Sequence, residues 1–131
     1  MSFVQYGRQV VSWAVALALT SVVSGCSFGQ ISATPAPSGP FQVVHVKALD
    51  FRWIISPNHL KSGETVKFVV DSVQGVHGFS IVGTNISNSV SQGSAPSIVY
   101  WKTPIKGTYT VACNVYCGAG HPTMVTTLKV V

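Results

Sequence analysis

The sequence predicts an all-β sandwich, and three observations lead there. From Phe41 onward the apolar residues recur in short runs. Those runs are rich in Val, Ile, Thr, Tyr, Phe and Trp, side chains that suit a pleated, half-buried surface. Gly, Pro, Asn and Ser break the runs up, and no long stretch repeats at helical spacing. In chain order, strands are expected over about 42–49, 51–55, 65–71, 77–82, 97–102, 107–113 and 124–131. Ser62-Gly63, Gly83-Thr84-Asn85 and Lys106-Gly107 supply turn residues between them. Val66, Phe68 and Val70 alternate with Lys67 and Val69, and Tyr109 and Val111 alternate with Thr108, Thr110 and Ala112. That period of two marks strands with one buried face. So many short strands in roughly 90 residues predict two antiparallel sheets packed face to face.

Composition bounds what such a domain does. Charged residues are 8% of the chain and hydrophobic residues 47%, which excludes a disordered or nucleic-acid-wrapping protein. The formal net charge of +5 includes Arg8. The other cations, Lys47, Arg52, Lys61, Lys67, Lys102, Lys106 and Lys129, are scattered, so no basic patch singles out nucleic acid. With 131 residues the chain has room for one core after loss of an N-terminal signal.

The N-terminal segment reads as an export signal. Residues 1–9 carry one charge, Arg8, and Val10 to Val23 form an uncharged, largely apolar stretch. That stretch is short for a membrane span and suits a signal-peptide core. It ends in Val23-Ser24-Gly25-Cys26, which resembles the lipobox of bacterial lipoproteins. The resemblance implies a lipoprotein-type signal over 1–25 and lipidation of Cys26, with more than one chain giving stable anchoring. An uncleaved anchor from about Val4 to Phe28 is the alternative. Residues 26–40, rich in Ser, Pro, Ala and Gly and without charge, read as a flexible tether, and 41–131 as the folded domain. Either reading puts the domain on the extracytoplasmic side of a membrane.

The chemistry is concentrated between Cys113 and Met124. Cys113, Cys117, His121 and Met124 bring two thiols, an imidazole and a thioether into one short segment. Soft sulfur ligands beside imidazole select copper, and a weak thioether is a mark of copper electron-transfer sites. A mononuclear site of that kind needs one cysteine and two histidines. The second cysteine is explained if two thiolates bridge two metal ions, which then require another histidine. His77 is the candidate, because it begins a predicted strand and Gly78 beside it permits close approach of another backbone.

The pattern Cys-x-x-x-Cys-x-x-x-His-x-x-Met with His77-Gly78-Phe79 upstream resembles the CuA domain of cytochrome c oxidase subunit II. The likeness is greatest to the bacterial ba-type oxidases, through Cys113-Asn114-Val115-Tyr116-Cys117-Gly118-Ala119-Gly120-His121 and Gly83-Thr84-Asn85-Ile86. It spans roughly 43–131. It implies a cupredoxin-like Greek-key sandwich holding a binuclear copper centre. In that centre Cys113 and Cys117 bridge both coppers, His77 and His121 bind one each, and Met124 and the backbone carbonyl of Val115 are weak ligands. It also implies a cytochrome c or a small copper protein as electron donor and the catalytic subunit I of an oxidase as partner. Many relatives carry a carboxylate or amide where Val115 stands, and valine offers only its carbonyl. With Asp50, Glu64 and Asp71 as its only acids, the chain lacks an acidic patch for a basic cytochrome, so an apolar contact near the copper is expected.

Four other readings of the same residues stay open at this point. Cys113 and Cys117 form a structural disulfide; both cysteines, His77 and His121 close a zinc site; a subset of the ligands holds one copper for delivery to an oxidase; or a Cys–His pair is hydrolytic, though no orienting acid accompanies it. His45 and His59 read as surface or edge-strand residues outside the site. Trp53, Trp101 and Tyr116 read as core or rim aromatics, with Tyr116 also placed to shape an electron-entry surface. Cys26, at the start of the tether, has no copper role.

Overall fold

Nine strands form among residues 35–131, the part of the chain that the computed structural model describes. The signal and Cys26 lie outside those residues, as does the tether up to residue 34. Residues 35–40 are exposed and carry no strand. One sheet has the order β2 (Arg52–Ser56), β1 (Gln42–Leu49), β4 (Thr65–Ser72), β7 (Ser97–Lys102). The other runs β3 (His59–Leu60), β9 (Val125–Val130), β8 (Gly107–Cys113), β5 (Val76–Ile81), β6 (Ser87–Ser91). Hairpin pairs alternate with pairs of strands distant in sequence, β1 with β4, β4 with β7, β3 with β9 and β5 with β8, as the expected Greek-key arrangement requires.

The strand pattern differs from the expected one in places with physical causes. The sheets are mixed, not purely antiparallel: β1 pairs parallel with β4, and β3 with β9. The second strand begins at Arg52 because Asp50 and Phe51 form a two-residue turn, Leu49 pairing with Arg52. Phe51 there has φ +65, a left-handed conformation that costs a non-glycine residue about 1–2 kcal/mol. β6, with sequence SNSVS, has little strand vocabulary; it is drawn into the sheet by pairing with β5, His77 opposite Val90. The last strand starts at Val125, not at 124, because Met124 turns inward.

Alternation then builds the core. Val44, Val46 and Ala48 of β1 and Val66, Phe68 and Val70 of β4 point inward from one sheet, and Phe79, Ile81, Val111, Leu128 and Val130 from the other. Full burial of one such side chain contributes about 1.5–3 kcal/mol, so this face specifies the register of every strand that carries it. Phe68 links the layers, with ring centroids 5.3 Å from Phe79 and 6.2 Å from Trp101. Trp53, read as core or rim, is buried against Phe79 at 5.7 Å. Among the described residues no helix is long and apolar enough to cross a membrane.

Candidate metal centre

β5 and β8 run antiparallel with Phe79 opposite Cys113, so the start of one strand and the end of the other share a pole of the sandwich. The inward alternation of β5 buries His77 completely, and that of β8 buries Cys113 beside it. Gly78 lies between them in sequence space and has no room for a side chain. A Cβ there would overlap the Asn114 side chain and stand 2.8 Å from the Val115 nitrogen. The approach is close because the Asn114 amide donates to the Gly78 carbonyl at 3.1 Å, while the Gly78 amide donates to the Cys113 sulfur at 3.4 Å.

The segment after Cys113 folds back over this pole through its own backbone. Amides of His121, Thr123 and Met124 donate to the carbonyls of Gly118, Gly120 and His121 at 3.0, 3.0 and 3.2 Å. A 3-10 turn over His121–Thr123, with Pro122 at its start, results. The Cys113 amide closes the loop onto the Met124 carbonyl at 3.1 Å. The Cys113 and Cys117 sulfurs come to 3.6 Å, and Cys117 lies 3.7 Å from His121 Nδ1 and 3.8 Å from Met124 Sδ. The Cys113 thiol donates to the Val115 carbonyl at 3.1 Å, so that oxygen also faces the cluster. Cys113 and Cys117 are free cysteines.

His77 holds the most informative atom. Its Nε2 is 2.6 Å from the Gln74 carbonyl, which can only accept, so Nε2 donates there and in the neutral ring Nδ1 is left with its lone pair. That Nδ1 is buried without a hydrogen-bond partner. A buried polar atom left unsatisfied costs about 1–3 kcal/mol and calls for an explanation. Its position supplies one: His77, Cys113 and Cys117 present ligand atoms within 4.8 Å of one another, a group able to hold a metal ion. The ring is set by its surroundings, as metal-binding imidazoles are. Ser72 Oγ donates toward the same Gln74 carbonyl at 3.0 Å, and Trp53 packs edge-on to His77 at 6.3 Å while its indole N–H donates to the Met124 carbonyl at 3.2 Å.

The Cys117 thiol holds its proton tightly. Burial pushes Cys117 up from 9.0 to about 11, and its hydrogen bond with Cys113 and the Cys113 charge push the same way. A raised thiol pKa means that the fold holds the proton more tightly than the open chain does. The Cys117 contribution to metal-free stability is therefore fully present below about pH 9 and is lost as the pH rises toward 11. Urea midpoints measured across that window are expected to decline more steeply for the wild type than for Cys117→Ser. Equal slopes would show that the fold does not favour the thiol form. The same proton has to leave when a metal binds, so uptake releases protons.

The structure brings together His77, Cys113, Cys117, His121, Met124 and the Val115 carbonyl, the whole set that the sequence singled out in the folded domain. His45 sits exposed on β1 and His59 Nδ1 donates to Asn58 Oδ1, 2.9 Å away, both apart from the cluster. The Gln74 carbonyl is not legible in the sequence, since a backbone oxygen has no residue signature, and the Ser72 hydroxyl enters only as a donor to that oxygen. Trp53 was placed among core and rim aromatics without its bond to the Met124 carbonyl.

No family model matches the chain. It is 37% identical over 95 residues to two curated proteins of Thermus thermophilus, each described as cytochrome c oxidase subunit 2. The match takes 71% of this chain and 69% of one relative and 55% of the other. The chain belongs to the cytochrome c oxidase subunit 2 family. Solved structures agree on the fold. A chain of a heme-copper terminal oxidase dimer superposes with a TM-score of 0.61 at 24% identity, covering 76% of this chain and 78% of that one. The periplasmic domain of subunit II of the Bradyrhizobium japonicum cytochrome oxidase gives 0.63 at 13%, covering 69% and 83%. The sandwich is thus the cupredoxin-like fold of subunit 2 domains, and the His77–Cys113–Cys117 cluster stands at one pole of it. Two thiols with an adjacent thioether suit copper better than zinc, which has no use for Met124.

Proposed function

We propose that this subunit 2 domain holds a binuclear copper centre of the CuA type and relays electrons into an oxidase. The observation that carries the reading is the buried Nδ1 of His77, which has no hydrogen-bond partner, on a ring grouped with two free thiols. Cys113 and Cys117 are the bridging thiolates, His77 and His121 the imidazole ligands, and Met124 and the Val115 carbonyl the weak ones. Such a bound pair supplies a one-electron site whose shared electron changes each metal–ligand bond little on reduction. The protein's part is to place the donors beforehand. The Gln74 carbonyl fixes the orientation of the His77 ring, the Gly78 amide supports the Cys113 sulfur, and complete burial of His77 and Met124 keeps water from that side.

The exposed side suits an apolar partner. Tyr116 is 78% exposed with its ring 5.7 Å from that of His121, and Val73 and Val76 stand exposed in the turn that leads to His77. Few acids occur, so a cytochrome c or a small copper protein would dock here by apolar contact, and the catalytic subunit I would take the electron onward. Lipidation of Cys26 would hold the domain at the outer face of the membrane.

Copper content of the purified chain, with electron paramagnetic resonance of the oxidised form, tests the reading. Two coppers per chain sharing one unpaired electron are expected. One copper per chain, or Cu(I) readily lost to a chelator, would replace the relay with copper delivery.

A further inference from the structure

One residue at the metal pole is in a conformation its side chain disfavours. Phe51 has φ +65 in the turn between β1 and β2, a position where glycine or asparagine is ordinarily found. Its ring is 37% exposed, so burial alone does not account for it. What the ring touches is the loop that carries Cys117 and His121. A Cβ on Gly118 would stand 3.2 Å from Phe51 Cε1 and Cζ, and one on Gly120 would overlap the ring and come within 2.6 Å of Phe51 Cβ. The two glycines thus leave bare backbone where the ring lies. Gly118 has φ +126 and itself needs a glycine, but Gly120 does not have a positive φ; its lack of a side chain is explained by the ring alone.

The same turn reaches the other half of the cluster. The Asp50 amide donates to Gln74 Oε1 at 3.4 Å, in the turn whose carbonyl orients His77. Phe51 is therefore seated between a tight turn tied to the His77 side and the backbone that bears Cys117 and His121. Strained backbone persists where the surroundings over-determine it, and such sites concentrate where geometry matters for function.

We propose that Phe51 is a positioning residue for the metal site: its ring, held by the left-handed turn, wedges against Gly118 and Gly120 and fixes the Cys117–His121 segment before metal arrives. The inference rests on the metal-centre reading for its purpose, though the wedge itself is a property of the metal-free protein. Its consequence is that ring and strain are separable. Glycine at 51 relieves the backbone while removing the ring, so the wild-type phenylalanine is kept for its contact and not for overall stability.

The test uses the full chain as wild type, Phe51→Gly, Phe51→Tyr and Gly120→Ala. Amide hydrogen exchange on the metal-free forms reports on His121, Thr123 and Met124, whose amides bond within the loop. In Phe51→Gly these are expected to exchange at least ~10-fold faster while amides of β4 and β8 keep their wild-type rates. Phe51→Tyr is expected to restore slow exchange. Gly120→Ala, which keeps the phenylalanine and displaces its ring, should loosen the same amides. After copper loading, Phe51→Gly should show altered hyperfine structure and ~10–100-fold faster loss of copper to a chelator, the range for outer-shell changes at metal sites. Unchanged exchange at His121, Thr123 and Met124 in Phe51→Gly overturns the proposal, and so does faster exchange spread evenly through β4 and β8. A wild type that binds one copper per chain but shows the local exchange effect would sink the two-copper reading and leave the wedge standing.

Discussion

Replacing His77 with alanine is expected to abolish the two-copper spectrum, whereas His45→Ala leaves it intact. His77 is completely buried, and its Nδ1 is a buried nitrogen without a hydrogen-bond partner. Loss of an outer-shell partner costs roughly 10–100-fold in metal affinity, and loss of a direct ligand should exceed ~100-fold. The metal-free fold also suffers, because the substitution opens a hollow against Trp53 and removes the Nε2 bond to Gln74. About 1–3 kcal/mol is expected, partly offset because the orphaned Nδ1 goes too. His45 faces solvent on β1, and its removal should fall within about 0.5 kcal/mol of neutral. Copper per chain, electron paramagnetic resonance and thermal unfolding of both variants decide the matter. A two-copper signal that survives in His77→Ala and disappears in His45→Ala would falsify the ligand assignment.

Gly78→Ala is the second large effect, and it acts through backbone. The added methyl meets the Asn114 side chain and, at 2.8 Å, both the Val115 amide nitrogen and its Cγ2. A flexible side chain could yield, but the Val115 backbone is held next to Asn114, whose amide bonds to the Gly78 carbonyl. Overpacking of this kind costs about 1–3 kcal/mol, and the upper end applies where backbone has to move. At about 4–8 °C per kcal/mol for a domain of this size, Tm should fall by roughly 10–20 °C. The Cys113 sulfur should shift with it, since the Gly78 amide is its hydrogen-bond donor, and copper uptake should weaken in parallel. Gly107→Ala is the control: a methyl there meets only the Tyr109 ring, at 3.7 Å or more, and Tm should hardly change. A Gly78→Ala protein as stable as Gly107→Ala would mean that the loop is free to move away.

Both results bear on what could be read from the chain before folding. The strands with a hydrophobic face, such as Thr65–Ser72 and Gly107–Cys113, were legible because burial of alternate residues follows directly from their spacing. The candidate ligands were legible because few side chains offer soft donors, and here four candidates are gathered in one loop, with His77 recruited from a distance. β6 was not legible, since its serines and asparagine take strand form only by bonding to β5. Nor was the parallel pairing of β1 with β4, which depends on the path of the chain between sheets and not on either strand's residues.

By itself the sequence determined an all-β domain, a set of candidate sulfur and imidazole donors, and a glycine beside His77 that permits close approach. It did so because hydrophobic period and donor chemistry are properties of side chains, which the letters state outright. Only the tertiary structure decided which nitrogen of His77 is bare, since that depends on a Gln74 carbonyl placed by a turn. It alone showed that Phe51 adopts a left-handed backbone to press on Gly118 and Gly120, because a contact between distant backbone segments exists only once both sheets have closed.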